Sequence, residues 1–392
     1  MKRREFITLL GGAAAWPLAA RAQQGERMRR VGVLAGLTES DPGARAWPAA
    51  FEEGLQKLGW SQGRNLRIDY RWAAGDGERM RSYAVDFARM APDIVVAVST
   101  PVLQAIQQEI RSIPIVFIGV SDPEGAGFVA SLARPGGNAT GFANFEPSIG
   151  GKWLQLLKEL LPSLTRVAVL RNPGAGAGFV RTIDTVAPSL GVQPAAYGVR
   201  DAPEIVRAIE TFAGQPNGGL IVLPDPIFSA HRRVIVDLAA KHRLPSVYPF
   251  RAFAADGGLV AYGVDLRDQF RRSADYVDRI LRGASPAQLP VQAPDKFELT
   301  INLRTAKALG IEVPAHLQQV ADEGSNDETP QVHIAARRRG GVAAFRCGSR
   351  IEAGTADRGI DGACGDRLAG TIQRRGVATR APPARMDRWT KP

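Results

Sequence analysis

The stretch RRVGVLAG, residues 29–36, is a near-continuous apolar run with two valines that closes on glycine. A run of that length and composition reads as a strand buried on both faces, as in a parallel sheet covered by helices. A helical pattern follows around 46–58, with Phe51, Leu55 and Leu58 on one face and Gly59 placed to end it. NLRIDYRWA (65–73) alternates like a second strand, and another helix runs to about Met90. DIVVAVS (93–99) and IPIVFIGVSD (113–122) supply two further strands with a helix between them.

The order then restarts. RVAVLRNP (166–173) echoes the first strand, GGLIVLPDP (218–226) echoes DIVVAVSTP, and LPSVYPF (244–250) echoes IPIVFIGV. The offsets are 136 residues from Val31 to Val167, 126 from Asp93 to Gly219, and 131 from Pro114 to Pro245. Near-constant offsets predict two similar halves, each an α/β lobe with a parallel, doubly wound, Rossmann-like sheet. One large α/β sheet is the alternative arrangement.

A chain of 392 residues has room for two such cores. Its net charge of +11 resembles a nucleic-acid signal until it is located. Residues 1–24 hold four Lys/Arg against one acid, and residues 324–392 hold thirteen against seven. The remaining body is nearly neutral and gives no electrostatic case for nucleic acid. Both cysteines, Cys347 and Cys364, fall after Gly324, so the body needs neither a disulfide nor a thiolate metal site.

The first 24 residues, MKRREFITLLGGAAAWPLAARAQQ, combine a basic start, an apolar run and the small-x-small site Ala20-Arg21-Ala22. That is the pattern of a cleaved export signal, and its apolar run is short of the roughly 20 residues of a bilayer span. Arg3-Arg4-Glu5-Phe6 resembles a twin-arginine motif, although general secretory signals also carry paired arginines. The expected product is soluble, periplasmic and not membrane-spanning. After Gly324 only nine Leu, Ile, Val or Phe occur among 69 residues, and arginine and glycine abound. Such a composition predicts a disordered basic tail, with an out-of-frame extension as the other reading.

The stretches RRVGVLAG, STPVLQA, SDPEGAGFVASLARPGGNATGF, KWLQLLKELLP, LPDPIFSAHR, HRLPSVYPFRAFAADGGLVAYGVD and KFELTINLRTAKALGIEVP carry a specific likeness. From about 28 to 323 the chain resembles the periplasmic substrate-binding proteins of ABC importers, in the branch related to aromatic amino-acid binders. The resemblance implies a type I periplasmic binding protein fold. One lobe would comprise 28–143 plus 265–291, and the other 144–264 plus 292–323, joined by a hinge. It also implies a small-molecule ligand, amino-acid-like or a carboxylate, and as partners an ABC permease with its ATPase. The export machinery, twin-arginine or general secretory, would be a further partner.

In open parallel sheets, ligands sit beyond the carboxyl ends of the strands. Ser99 and Thr100 lie there, before Pro101 at a helix start, where free N–H groups and the helix dipole favour an anion. Either hydroxyl can instead cap the helix. Ser121 and Asp122 end the next strand, and Asp225 holds the matching place in the second half. Each aspartate reads either as a seat for an ammonium group or as a helix cap. Tyr248 is a candidate aromatic wall or half-buried packing, and Asn144 and Asp265 lie near the implied hinge as ligand contacts or braces. No catalytic residue, metal or cofactor is expected.

Other classes fit less well. The turn around Gly174, Gly176 and Gly178 is the one dinucleotide-like feature of an α/β enzyme, but Phe179 stands where the third glycine of G-x-G-x-x-G belongs. GVSDP (119–123) has proline where a nucleophile elbow needs glycine. His231, His242, His316 and His333 lack metal-ligand spacing. A sugar-responsive repressor would share the two-lobed fold, but would begin with a DNA-reading helix pair.

Overall fold

The computed structural model describes residues 28–294, 297–319 and, for the backbone alone, 332–336. The expected export segment and the rest of 324–392 lie outside the described residues. The first half runs β1 (Arg29–Ala35), α1 (Trp47–Lys57), β2 (Leu66–Trp72), α2 (Gly77–Met90), β3 (Ile94–Val98), α3 (Thr100–Glu109), β4 (Ile115–Val120) and β5 (Ala139–Ala143). These strands form one parallel sheet in the order β2-β1-β3-β4-β5.

The second half begins with α4 (Ile149–Leu160), β6 (Arg166–Arg171), α5 (Ala177–Val186), β7 (Gln193–Gly198), α6 (Ala202–Ala213) and β8 (Gly218–Val222). It continues through α7 (Pro226–Ala230), α8 (Arg232–Lys241), β9 (Ser246–Tyr248), α9 (Arg251–Ala255) and β10 (Val260–Gly263). Then come α10 (Leu266–Leu281), β11 (Phe297–Ile301), α11 (Leu303–Leu309), α12 (Ala315–Gln319) and β12 (Val332–Ala336). The second sheet has the order β12-β11-β10-β9-β8-β6-β7. Strands β6 to β10 pair in parallel, whereas β11 runs antiparallel to β10 and β12 antiparallel to β11. The reversal at β11 follows from the route of the chain. It leaves β10, packs α10 onto the first sheet, and re-enters the second sheet from the edge it had left. The strand Val332–Ala336 falls inside the stretch read from composition as an unstructured tail.

Alternation along each strand divides its side chains between two cores, which is what burial on both faces requires. Val31, Val33, Ile94, Val96 and Val98 pack beneath α1 and α10, while Leu34, Val95, Ala97 and Phe117 meet Phe87 of α2 and Ile106 of α3. In the second sheet Val167, Val169 and Ile221 lie with Trp153 and Leu157 of α4. Ala168, Leu170 and Leu220 meet Ile205 and Phe212 of α6 and Ile235 of α8.

Helix α10 is the element that ties the late chain to the first sheet. Phe270, Ala274, Val277 and Leu281 are buried at helical spacing, and Phe270 stacks on Trp47 with centroids 5.0 Å apart and meets the edge of Phe51. The two helices approach closely because α1 carries glycine at the contact. A Cβ on Gly54 would lie 2.7 Å from the Ala274 Cβ and 2.8 Å from the Arg271 carbonyl oxygen. Alanine normally favours a helix over glycine by about 1 kcal/mol. Here Gly54→Ala instead destabilises the fold by about 1–2 kcal/mol through overpacking. Urea unfolding of the two proteins checks this, and a more stable Gly54→Ala variant would refute the packing argument.

Candidate functional site

The carboxyl ends of β1, β3 and β4 face those of β8 and β9 across a cavity of about 430 Å³. Its lining divides by chemistry. Trp47, Leu37, Val98, Phe250 and Phe253 form apolar walls, and Ser99, Thr100, Ser121, Asn144, Asp225 and Asp265 bring polar groups beside further charged residues such as Asp41 and Arg232. Six of the eight residues expected from sequence therefore meet at one cavity.

Ser99 does not cap α3: its side chain makes no capping bond, and its backbone sits at φ 95°, ψ 158°, rare for a residue with a Cβ. Its hydroxyl is buried without a hydrogen-bond partner. Pro101 has no N–H, and the Leu103 N–H bonds the Ser99 carbonyl. The helix end thus offers the N–H groups of Thr100 and Val102. Thr100 is committed elsewhere through its side chain, where Oγ1 accepts the Ser121 N–H at 3.0 Å. Ser121 Oγ donates to Asn144 Oδ1 at 2.9 Å, and the Asn144 amide donates to the Gly119 carbonyl at 3.0 Å. Gln269 of α10 joins this brace, accepting from the Gly119 N–H and donating to the Ala143 carbonyl. These bonds hold the ends of β3, β4 and β5 in one frame around the cavity.

Asp225 is buried in the facing half, where Oδ1 caps α7 by accepting the Ile227 N–H at 3.0 Å. Oδ2 is buried without a hydrogen bond of ordinary geometry, though the nearby Asn172 amide eases its charge. Burial is the dominant influence and raises the carboxyl from 3.8 to about 6, partly offset by the Ile227 and Asn172 groups. Gly36 passes between the two unpartnered atoms' surroundings. A Cβ there would lie 2.6 Å from the Pro226 ring and 3.0 Å from Ser99 Oγ, so only glycine lets the halves meet this closely.

Asp265 caps α10 through the Arg267 N–H at 2.8 Å and also lines the cavity near its exposed rim. Asp122 does not line it. Its Oδ1 accepts the Gly125 N–H in a tight turn, at φ 46°. Tyr248 is also turned away: alternation along β9 sends Val247 to one core and Tyr248 to the other, where it is fully buried and stacks on Phe253 at 4.7 Å. Sequence reasoning missed Trp47, Phe250, Asp41 and Arg232. Asp41 and Trp47 follow β1 at its carboxyl end, the same rule that picked out Ser99, and Phe250 follows the end of β9 in the same way.

The glycine turn at 174–178 lines no part of this cavity. Arg171 fills its interior, donating from Nη1 to the carbonyls of Asn172, Pro173 and Ala175. Carbonyls converging on a guanidinium leave no cradle of N–H groups for a phosphate. Among the described residues no cluster of His, Cys, Asp or Glu could hold a metal, and no helix is long and apolar enough to cross a membrane.

The raised Asp225 carboxyl makes a statement about stability. A group with a folded value near 6 and an unfolded value near 3.8 binds more protons in the folded state between those limits. Stability is therefore lost as pH rises from about 4 to about 6 and stays reduced above, by up to about 3 kcal/mol. Asn keeps the cap without the charge, so ligand-free Asp225→Asn melts above the wild type at pH 8 and level with it at pH 4. Equal melting at both values would show that the carboxyl ionises normally.

Comparisons place this architecture. The family model for ABC transporter substrate binding proteins matches residues 31–324. A curated relative described as a tyrosine-binding protein, from Clostridioides difficile (strain R20291), is 28% identical over 270 residues, covering 67% of this chain and 76% of the relative. Among solved structures, a conserved domain protein from Vibrio cholerae O1 biovar El Tor superposes with a TM-score of 0.70 at 27% identity. That match covers 75% of this chain and 98% of the other. An ABC domain from Streptococcus pneumonia in complex with L-Trp gives 0.68 at 22% identity, covering 74% and 97%, a likeness of fold. The two facing α/β sheets and the cavity between them are thus those of a substrate-binding component, and the chain belongs to the ABC transporter substrate binding protein family.

Proposed function

We propose that the protein captures an α-amino acid with an apolar or aromatic side chain and hands it, chemically unchanged, to a membrane permease. The observation that carries this reading is a pair of buried polar atoms of opposite demand on residues lining one cavity, neither with a hydrogen bond of ordinary geometry. Ser99 Oγ, beside the start of α3, has a proton to donate, and Asp225 Oδ2 has a lone pair to share. A ligand carboxylate answers the first together with the helix-end N–H groups, and an ammonium answers the second. Trp47 and Phe250 then offer apolar area to the side chain. The tyrosine-binding relative supports the same class of ligand.

In this reading residues 28–143 with 265–291 form one lobe and 144–264 with 292–323 the other, with Asn144 and Asp265 beside the segments that cross between them. Thr100, Ser121 and Asn144 hold the site in shape and are not expected to dominate affinity. Asp122 and Tyr248 take no part. The reading calls for no catalytic step: Ser121 Oγ donates to the Asn144 amide oxygen, and Asp225 Oδ1 caps α7. The first 24 residues serve as an export signal, by the twin-arginine or general secretory route, and the mature protein works outside the cytoplasm.

Calorimetric titration with L-tyrosine, L-tryptophan, tyramine and 3-(4-hydroxyphenyl)propionate tests the proposal. An amino acid should bind, and each truncated analogue should bind at least about tenfold more weakly, since it leaves either Asp225 or the Ser99 hydroxyl and helix-end N–H groups unanswered. Saturation at about 100 times the dissociation constant should stabilise the fold by about 2.7 kcal/mol. Equal affinity for the acid or the amine alone would overturn the zwitterion assignment, and conversion of the bound compound would overturn transport without chemistry.

A further inference from the structure

Arg232 is the first residue of α8 and lies at the lip of the cavity, only 7% exposed. Its guanidinium is held from its own half by two groups. Nε donates to Asp256 Oδ2 at 2.6 Å, and Nη1 donates to the Ser229 carbonyl at 3.3 Å. The same Nη1 also forms an ion pair with Asp41, which belongs to the loop after β1 in the opposite half and is 6% exposed. Asp41 is itself fixed. Its Oδ1 accepts the Gly43 N–H at 2.8 Å, and its carbonyl accepts the N–H groups of Ala44 and Arg45.

Asp41, Pro42 and Arg232 line the central cavity and also a second hollow of about 390 Å³ on the outer side, which Thr38, Arg45 and His231 complete. Residues that line both spaces are the partition between them. We propose that the Asp41–Arg232 ion pair is a latch that closes the cavity to this outer hollow and holds the two halves together. The division of labour among the acids follows from their positions. When the halves part, Arg232 keeps Asp256 and stays aimed across the gap, so only the Asp41 bond is made and broken with each cycle. Arg232 therefore acts as a positioning residue for closure. This inference rests on the closing of the two halves and not on the identity of the ligand, so it can fail while the amino-acid reading stands.

The test needs no ligand. In the full chain with Cys347 and Cys364 replaced by serine, nitroxide labels on Glu78→Cys and Arg207→Cys, exposed positions in opposite halves, report the separation of the lobes by pulsed electron paramagnetic resonance. The parent should show a closed population. Asp41→Asn and Arg232→Gln should each raise the open-to-closed ratio at least about tenfold, since either change breaks a buried pair. The double variant should open no further than Arg232→Gln alone, because both changes remove one bond. Asp256→Asn, whose partner lies in its own half, should move the ratio much less. A ligand-free parent without a closed population, an unchanged ratio in Asp41→Asn, or an equal shift in Asp256→Asn would overturn the latch.

Discussion

Two buried polar atoms at the cavity without a hydrogen bond of ordinary geometry, the Ser99 hydroxyl and the second oxygen of Asp225, set the terms for the site. Leaving a buried polar group unanswered costs roughly 1–3 kcal/mol, and more for a charged one. Folded chains seldom tolerate that, unless something arriving from solution completes the bond. Of the six such atoms among the described residues, these two belong to residues that line the same cavity. Parallel strands send all their carboxyl ends in one direction, so two such sheets facing one another gather strand ends, loops and helix N-termini around a single cavity.

What surrounds the deficit is, by contrast, fully bonded. The chain Thr100–Ser121–Asn144–Gly119–Gln269 satisfies each of its members and ties β3, β4 and β5 to α10. A rigid frame with two open valences binds by differential stabilisation, since the ligand replaces water at groups already in position. The strained backbone of Ser99 belongs to the same arrangement, since it keeps the hydroxyl out of the ordinary N-cap bond to α3.

Much of this was legible in the sequence. The runs at 29–36, 93–99, 166–173 and 218–226 mark strands because helices cover both faces of each sheet, and unbroken apolar residues are what such strands need. Ser99 and Asp225 were legible for a related reason, as polar residues closing apolar runs just before a helix. The reversed direction of β11 was hidden, because it depends on the path of α10 through the other half and not on any local pattern. Tyr248 shows the limit of residue chemistry alone: whether an aromatic at a strand end faces a ligand or a core depends on a single step of alternation. Asp122 shows another, since a carboxylate after a strand closes a turn as readily as it meets a ligand. The pairing of Asp41 with Arg232 spans 191 positions and leaves no periodic trace.

The most direct measurement of the central claim is the titration of the Asp225 carboxyl by carbon-13 NMR, assigned by its loss in Asp225→Asn, with and without saturating L-tyrosine. The account predicts ionisation near pH 6 in the free protein. With the amino acid bound, the ammonium group should draw the same carboxyl down into or below the ordinary carboxylate range. A titration curve that ligand leaves unmoved, in a protein that demonstrably binds it, would contradict the account.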